Sequence, residues 1–161
     1  MQQILVIGYG NPLRGDDGFG GLAAGYVEKL RIPGLEVIVC HQLNPELAAV
    51  LYKSSYAIFL DAVAGDEPGT LNATPVARCD LSSAGMHHFE PGSLLALSQA
   101  IYGYAPPAML ITAATRSFDN GAEISKDVKQ AAVKAAEAIA LAVDAGNFDS
   151  QILSNVLLNC H

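Results

Sequence analysis

The sequence predicts an α/β fold, a three-layer sandwich in which a mostly parallel, twisted sheet is flanked by helices on both faces. Three observations predict it. Short β-branched and apolar runs alternate with helical patterns along most of the chain. The clearest helical stretch, Ser125–Ala145, is apolar on one face only, as a helix packed on a sheet requires. Asp61 directly follows the apolar run Ala57–Leu60, at the carboxyl end where open α/β sheets bind their ligands.

In chain order, Ile4–Ile7 reads as a strand, Gly18–Leu30 as a helix and Leu35–Cys40 as a second strand. Asn44-Pro45-Glu46 supplies an N-cap residue, a proline at the first helical position and an acid in the first turn, so a helix is expected over Asn44–Lys53. Tyr56–Val63 is a strand, and Gly65-Asp66-Glu67-Pro68-Gly69 is a turn cluster. Thr70–Arg78 reads as a further strand, residues 79–90 as a loop, Pro91–Tyr102 as a helix and Ala108–Ala114 as a buried strand. In the last helix Val128, Ala132, Ala135, Ile139 and Val143 share one face, opposite Lys126, Gln130, Lys134 and Glu137. Residues 1–146 form a single α/β domain in this reading. The tail 147–161 carries an apolar group, Ile152, Leu153, Val156, Leu157 and Leu158, able to dock or to mediate contacts.

The bulk numbers bound the function. A chain of 161 residues, 51% hydrophobic and 16% charged, has room for one core and not for a separate catalytic domain. A net charge of -7 with only nine Lys and Arg offers no cationic surface to a phosphate backbone, which argues against nucleic acid as a partner. Cys40, Cys79 and Cys160 lie far apart without C-x-x-C spacing, so neither a zinc knuckle nor a disulfide framework is indicated. The N-terminus lacks the features of a secretory signal, and the most apolar helical stretch is interrupted by Lys134 and Glu137, so the expectation is a cytoplasmic chain without membrane insertion.

The first strand runs into a loop, Gly8-Tyr9-Gly10-Asn11-Pro12-Leu13-Arg14-Gly15-Asp16-Asp17-Gly18-Phe19-Gly20, that invites comparison with two phosphate-binding motifs. A dinucleotide fingerprint starting at Gly8 needs glycine where Leu13 stands. Gly10 to Gly15 has the span of a P-loop, but Asp16 and Asp17 replace its lysine and hydroxyl. Two carboxylates repel phosphate and suit a cation, so no nucleotide is expected. The bland alternative, an acid that merely caps a helix, is accepted for one of the two.

Asp61 follows the apolar run Ala57–Leu60 and is the best second ligand, against a structural reading as a buried acid bonded to backbone N–H groups. His87 and His88 lie just before the Pro91 helix, in a loop able to reach the same end of the sheet, and an imidazole suits nickel, zinc or iron. Adjacent histidines in an extended segment point apart, so one is the ligand and the other a surface or supporting group. His41 and His161 carry the bland reading of solvated side chains.

Taken together, the Gly8–Leu13 run, the Gly15–Gly20 run, Asp61 and the His87 loop resemble the [NiFe] hydrogenase maturation endopeptidases. The resemblance spans most of the chain and is thin in 66–84 and after about residue 146. It implies a metal site built from Asp17, Asp61 and His87. His87 is preferred over His88 because Phe89, Pro91, Leu94 and Leu95 then fall at the family's spacing. Many members carry Glu at the position of Asp17, and the shorter side chain here would draw a bound metal closer to the backbone. The segment His41–Leu47 looks like the version serving bidirectional, cofactor-reducing hydrogenases.

The resemblance further implies that the chain removes the C-terminal extension of the hydrogenase large-subunit precursor once nickel is inserted. Two carboxylates and an imidazole leave coordination positions open, so the site could grasp a nickel already held by substrate thiolates. In the competing mechanism a resident ion polarises the scissile carbonyl or activates water, with Asp16 as candidate general base. The helical H-E-x-x-H pair of zinc proteases is absent, and no Ser or Cys stands beside a histidine as a nucleophile. The alternative function is a non-catalytic metal-binding or metal-delivery accessory protein using the same residues.

Overall fold

A computed structural model describes residues 3–82 and 88–159. Five strands form one sheet: β1 (Ile4–Tyr9), β2 (Leu35–Cys40), β3 (Tyr56–Ala64), β4 (Leu71–Pro75) and β5 (Ala108–Thr115). Their order is β2-β1-β3-β5-β4, with every neighbouring pair parallel except β4 and β5. The helices are α1 (Phe19–Lys29), α2 (Ala48–Leu51), α3 (Pro91–Tyr102), α4 (Lys126–Ala145) and α5 (Ser150–Asn159).

Strand side chains alternate between two buried layers, which is why these strands read as nearly continuous apolar runs. Ile4 and Val6, Ile58 and Leu60, and Met109 and Ile111 pack toward α1, α4 and α5. Leu5 and Ile7, Ala57 and Phe59 pack on the opposite face with Leu47 and Leu51 around α2 and with Leu94 and Leu95 of α3. On α4 the expected face is buried at Val128, Ala132, Ala135 and Ile139, and Val143 packs at its margin. Small alanines along this face let α4 lie close against α1.

Several boundaries differ from the sequence reading. The strand expected over Thr70–Arg78 closes at Pro75, which has no N–H to give to the ladder. The helix expected over Asn44–Lys53 begins as a 3-10 turn at Pro45–Leu47 and is α-helical only over Ala48–Leu51. Asn44 has the extended backbone of an N-cap, but its side chain does not cap. Leu47 N–H bonds the Asn44 carbonyl instead at 3.2 Å, and Asn44 Oδ1 is left buried without a partner. The 147–161 segment forms α5, with Asp149 accepting from the Gln151 and Ile152 N–H groups at its start. Leu153 and Leu157 are buried, and Phe148 stacks on Tyr56 at 4.3 Å between ring centres. Among the described residues no helix is long and apolar enough to cross a membrane.

Candidate functional site

The chain leaves β1 in one direction for β2 and later returns on its other side for β3, so the β1/β3 boundary is the point where the strand order reverses. Loops diverge there and leave a crevice outside the carboxyl ends. Both sequence-selected aspartates come to it. β3 pairs with β1 only as far as Leu60, then continues beside β5, where Asp61 pairs with Thr112. Asp61 is thus the first β3 residue beyond its partnership with β1.

Asp17 arrives from the other wall, in a 3-10 turn over Gly15–Gly18 that leads into α1. Gly20 sets how close that turn comes: a Cβ there would collide with the Leu60 and Tyr9 carbonyl oxygens, so only glycine lets the first turn of α1 rest on both strand ends. Gly10, at φ 136°, lies so tightly against the Asp17 carbonyl that no side chain fits. The Asn11 N–H donates to Asp17 Oδ2 at 2.7 Å and orients the carboxylate.

Asp61 is half-buried, and desolvation lifts its carboxyl to about 6. The Tyr9 hydroxyl and the Ala62 N–H oppose the rise by bonding the ionised form, and the Asp17 charge adds to it. Burial, then Asp61, push the Tyr9 phenol upward, so Tyr9 remains a neutral donor at physiological pH. Glu90, just before α3, adds a smaller electrostatic push in the same direction. Cys79 N–H donates to the Gly92 carbonyl at 3.1 Å.

Tyr9 was not among the sequence candidates. Its signal was parity: with Ile7 opposite Phe59 and Gly8 opposite Leu60, Tyr9 falls beside Asp61 on the same face of the sheet. Reading that requires the register, which pairing of distant strands decides.

Asp16 points elsewhere. It is 3% exposed and holds α4, accepting from Ser125 N–H at 2.6 Å and Ser125 Oγ at 3.0 Å, while Thr115 Oγ1 donates to the same carboxylate. Three hydrogen bonds land on its two oxygens, which makes Asp16 a tie between the acidic loop, β5 and α4. Neither aspartate caps the helix that follows, since α1 has no side-chain cap; Asp16 instead holds Ser125, whose hydroxyl caps α4. His87 lies outside the described residues, and His88 is exposed. Among the described residues no three His, Cys, Asp or Glu side chains are grouped to hold a metal ion. Asp17 and Asp61 supply two hard oxygen donors, a fit to a divalent cation that needs further ligands from elsewhere.

No family model matches the chain, and neither does any curated protein. Solved structures do. The [NiFe] hydrogenase maturation protease HycI from Thermococcus kodakarensis KOD1 superposes with a TM-score of 0.72 at 23% identity, covering 89% of this chain and 93% of that one. The hydrogenase maturating endopeptidase HybD from E. coli gives 0.68 at 21% identity, over 90% and 94%. HybD from Thermococcus kodakarensis gives 0.67 at 24% identity, over 88% and 99%. The fold is that of the hydrogenase maturation proteases. The likeness covers 88–90% of this chain and 93–99% of the compared chains.

Proposed function

We propose that the chain is an endopeptidase that removes the C-terminal extension of a [NiFe] hydrogenase large-subunit precursor after nickel insertion, in the cytoplasm. The observation that carries this is the pairing of Asp17 and Asp61 across the β1/β3 crevice, on a fold shared with hydrogenase maturation proteases. A desolvated carboxylate beside a second negative charge gains more from a cation than a solvated one does, because the cation relieves both penalties.

In this reading nickel arrives as part of the substrate, held by the precursor's thiolates. Asp17 and Asp61 contribute oxygen donors and His87 the third group. Tyr9 and the Asn11 N–H fix the two carboxylates, so the site is ordered before the substrate enters. A precursor lacking nickel presents nothing for the carboxylates to grip, which makes metal loading the test for cleavage. Hydrolysis then adds water across one peptide bond, leaving a new carboxylate and a released amine.

Incubation with nickel-loaded and nickel-free precursor, followed by the mass of the product, tests the reading. The expected result is loss of the C-terminal peptide only from the loaded form, abolished by Asp17→Asn, Asp61→Asn or His87→Ala in folded variants. Near-wild-type cleavage by all three variants overturns the site. Metal capture without any mass change would mark a metal-delivery protein instead.

A further inference from the structure

Asp61 has a neighbour on each side along the sheet. Residues paired in register on adjacent strands project their side chains to the same face. On the β1 side, the Tyr9 hydroxyl bonds Asp61. On the β5 side, Asp61 pairs with Thr112, and Thr112 pairs in turn with Asn72 of β4. Tyr9, Asp61, Thr112 and Asn72 therefore make one polar row across four adjacent strands, on the face that carries α2 and α3, with about 4.8 Å between strands.

The helical layer on this face covers only part of the row. Leu5, Ile7 and Phe59 are buried beneath it, whereas Thr112 is half-buried and Asn72 and Thr74 are exposed. β5 is otherwise apolar as far as Ala114. Its second threonine, Thr115, faces the opposite layer by alternation and spends its hydroxyl on Asp16. The Thr112 hydroxyl has no hydrogen-bond partner among the described residues. Such a hydroxyl adds nothing to the fold, since a methyl group of the same shape would fill the position at little cost.

We infer that Thr112 is a substrate-binding residue whose hydroxyl donates to a backbone carbonyl of the precursor beside the cation at Asp61, and that Asn72 continues this grip one strand further on. The inference rests on the endopeptidase reading above. A hydroxyl and a carboxamide carry no charge, so they leave the charge balance of the cation site alone and match the carbonyl and N–H groups of an extended polypeptide. Position selects the partner: a chain whose metal centre meets Asp61 passes within one strand spacing of Thr112. On the β1 side the Tyr9 hydroxyl is already engaged, so the free polar groups of the row lie toward β5 and β4. The polypeptide next to the metal thus leaves the crevice in that direction.

Steady-state cleavage of the nickel-loaded precursor by Thr112→Val, Thr112→Ser, Asn72→Ala and Thr74→Val tests the inference. Thr112→Val should lower kcat/KM about five- to tenfold, with the loss carried by KM and with Tm unchanged, and Thr112→Ser should restore it. Asn72→Ala should lower kcat/KM by about two- to fivefold. Thr74 shares the face but pairs with Leu110, toward the amino end of β5, and Thr74→Val should cleave as wild type does. Wild-type kcat/KM in folded Thr112→Val or Asn72→Ala, a loss that serine does not restore, or an equal loss in Thr74→Val overturns the inference. Failure of the wild type itself to cleave the nickel-loaded precursor overturns the endopeptidase reading instead.

Discussion

Adjacent carboxylates with opposite duties make Asp16 and Asp17 separable by experiment. Removing Asp16 leaves the Thr115 hydroxyl and both Ser125 donors without their acceptor in a buried position. Asp16→Ala should cost about 3 kcal/mol and lower Tm by roughly 6–12 °C, while the molecules that remain folded still cleave. Asp17→Asn should do the reverse, ending activity with little change in Tm. A melt and an assay on each variant decide between a structural tie and a general base for Asp16.

Asp61 yields a pH prediction of the opposite sign to most acids. Its folded-state carboxyl, at about 6, lies above the ordinary 3.8, so the folded chain holds this proton more tightly than the unfolded one. The contribution to stability is therefore fully favourable below about pH 4 and is lost as pH rises through 6. Asp61→Asn keeps an acceptor for Tyr9 and removes the penalty. It should stabilise the protein by roughly 1–2 kcal/mol at pH 7, allowing for partial solvent access, with the gain vanishing near pH 4. Denaturant midpoints at the two pH values provide the check.

At the scale of elements, the placement of α1 on β1 and β3 governs whether the carboxylates meet. Gly20→Ala inserts a methyl against the Leu60 and Tyr9 carbonyls. Either the first turn of α1 lifts away or the strand ends shift, at an expected cost of about 3 kcal/mol. Because the displaced turn carries Asp17, activity should fall further than the loss of folded protein explains, which circular dichroism melts paired with an activity assay would reveal. The same scale shows where sequence patterns succeeded. β2 and α3 match their expected limits because alternation and a Pro91 start are local signals. β4 ran short at Pro75, and the Asn44 helix shrank to one α-turn, since both were decided by neighbours that no local window contains.

At the scale of the molecule, the last helix closes one layer rather than trailing from it. α5 covers β4 and the end of α4, burying Leu153 and Leu157, and Tyr56 donates to the Phe148 carbonyl at 3.2 Å. Each buried leucine contributes about 1.5–3 kcal/mol. Truncation after Gly146 should therefore lower Tm markedly and expose apolar surface to dye binding, while cleavage per folded molecule persists because the crevice lies at the strand ends served by α1 and β3. Loss of cleavage in a still-folded truncation would tie α5 to substrate binding.

The sequence by itself determined the α/β class, the identities of the strands and the acidic character of the β1–α1 loop, because periodicity, glycine spacing and the Asp16-Asp17 pair are written in consecutive residues. It also singled out Asp61, because an acid ending an apolar run stands out locally. Only the tertiary structure decided that Asp16 ties down α4 and that Tyr9 supports Asp61. Those outcomes depend on strand register and on the close seating of Gly20. Both are settled by contacts between residues tens of positions apart, where packing selects one of several locally equivalent arrangements.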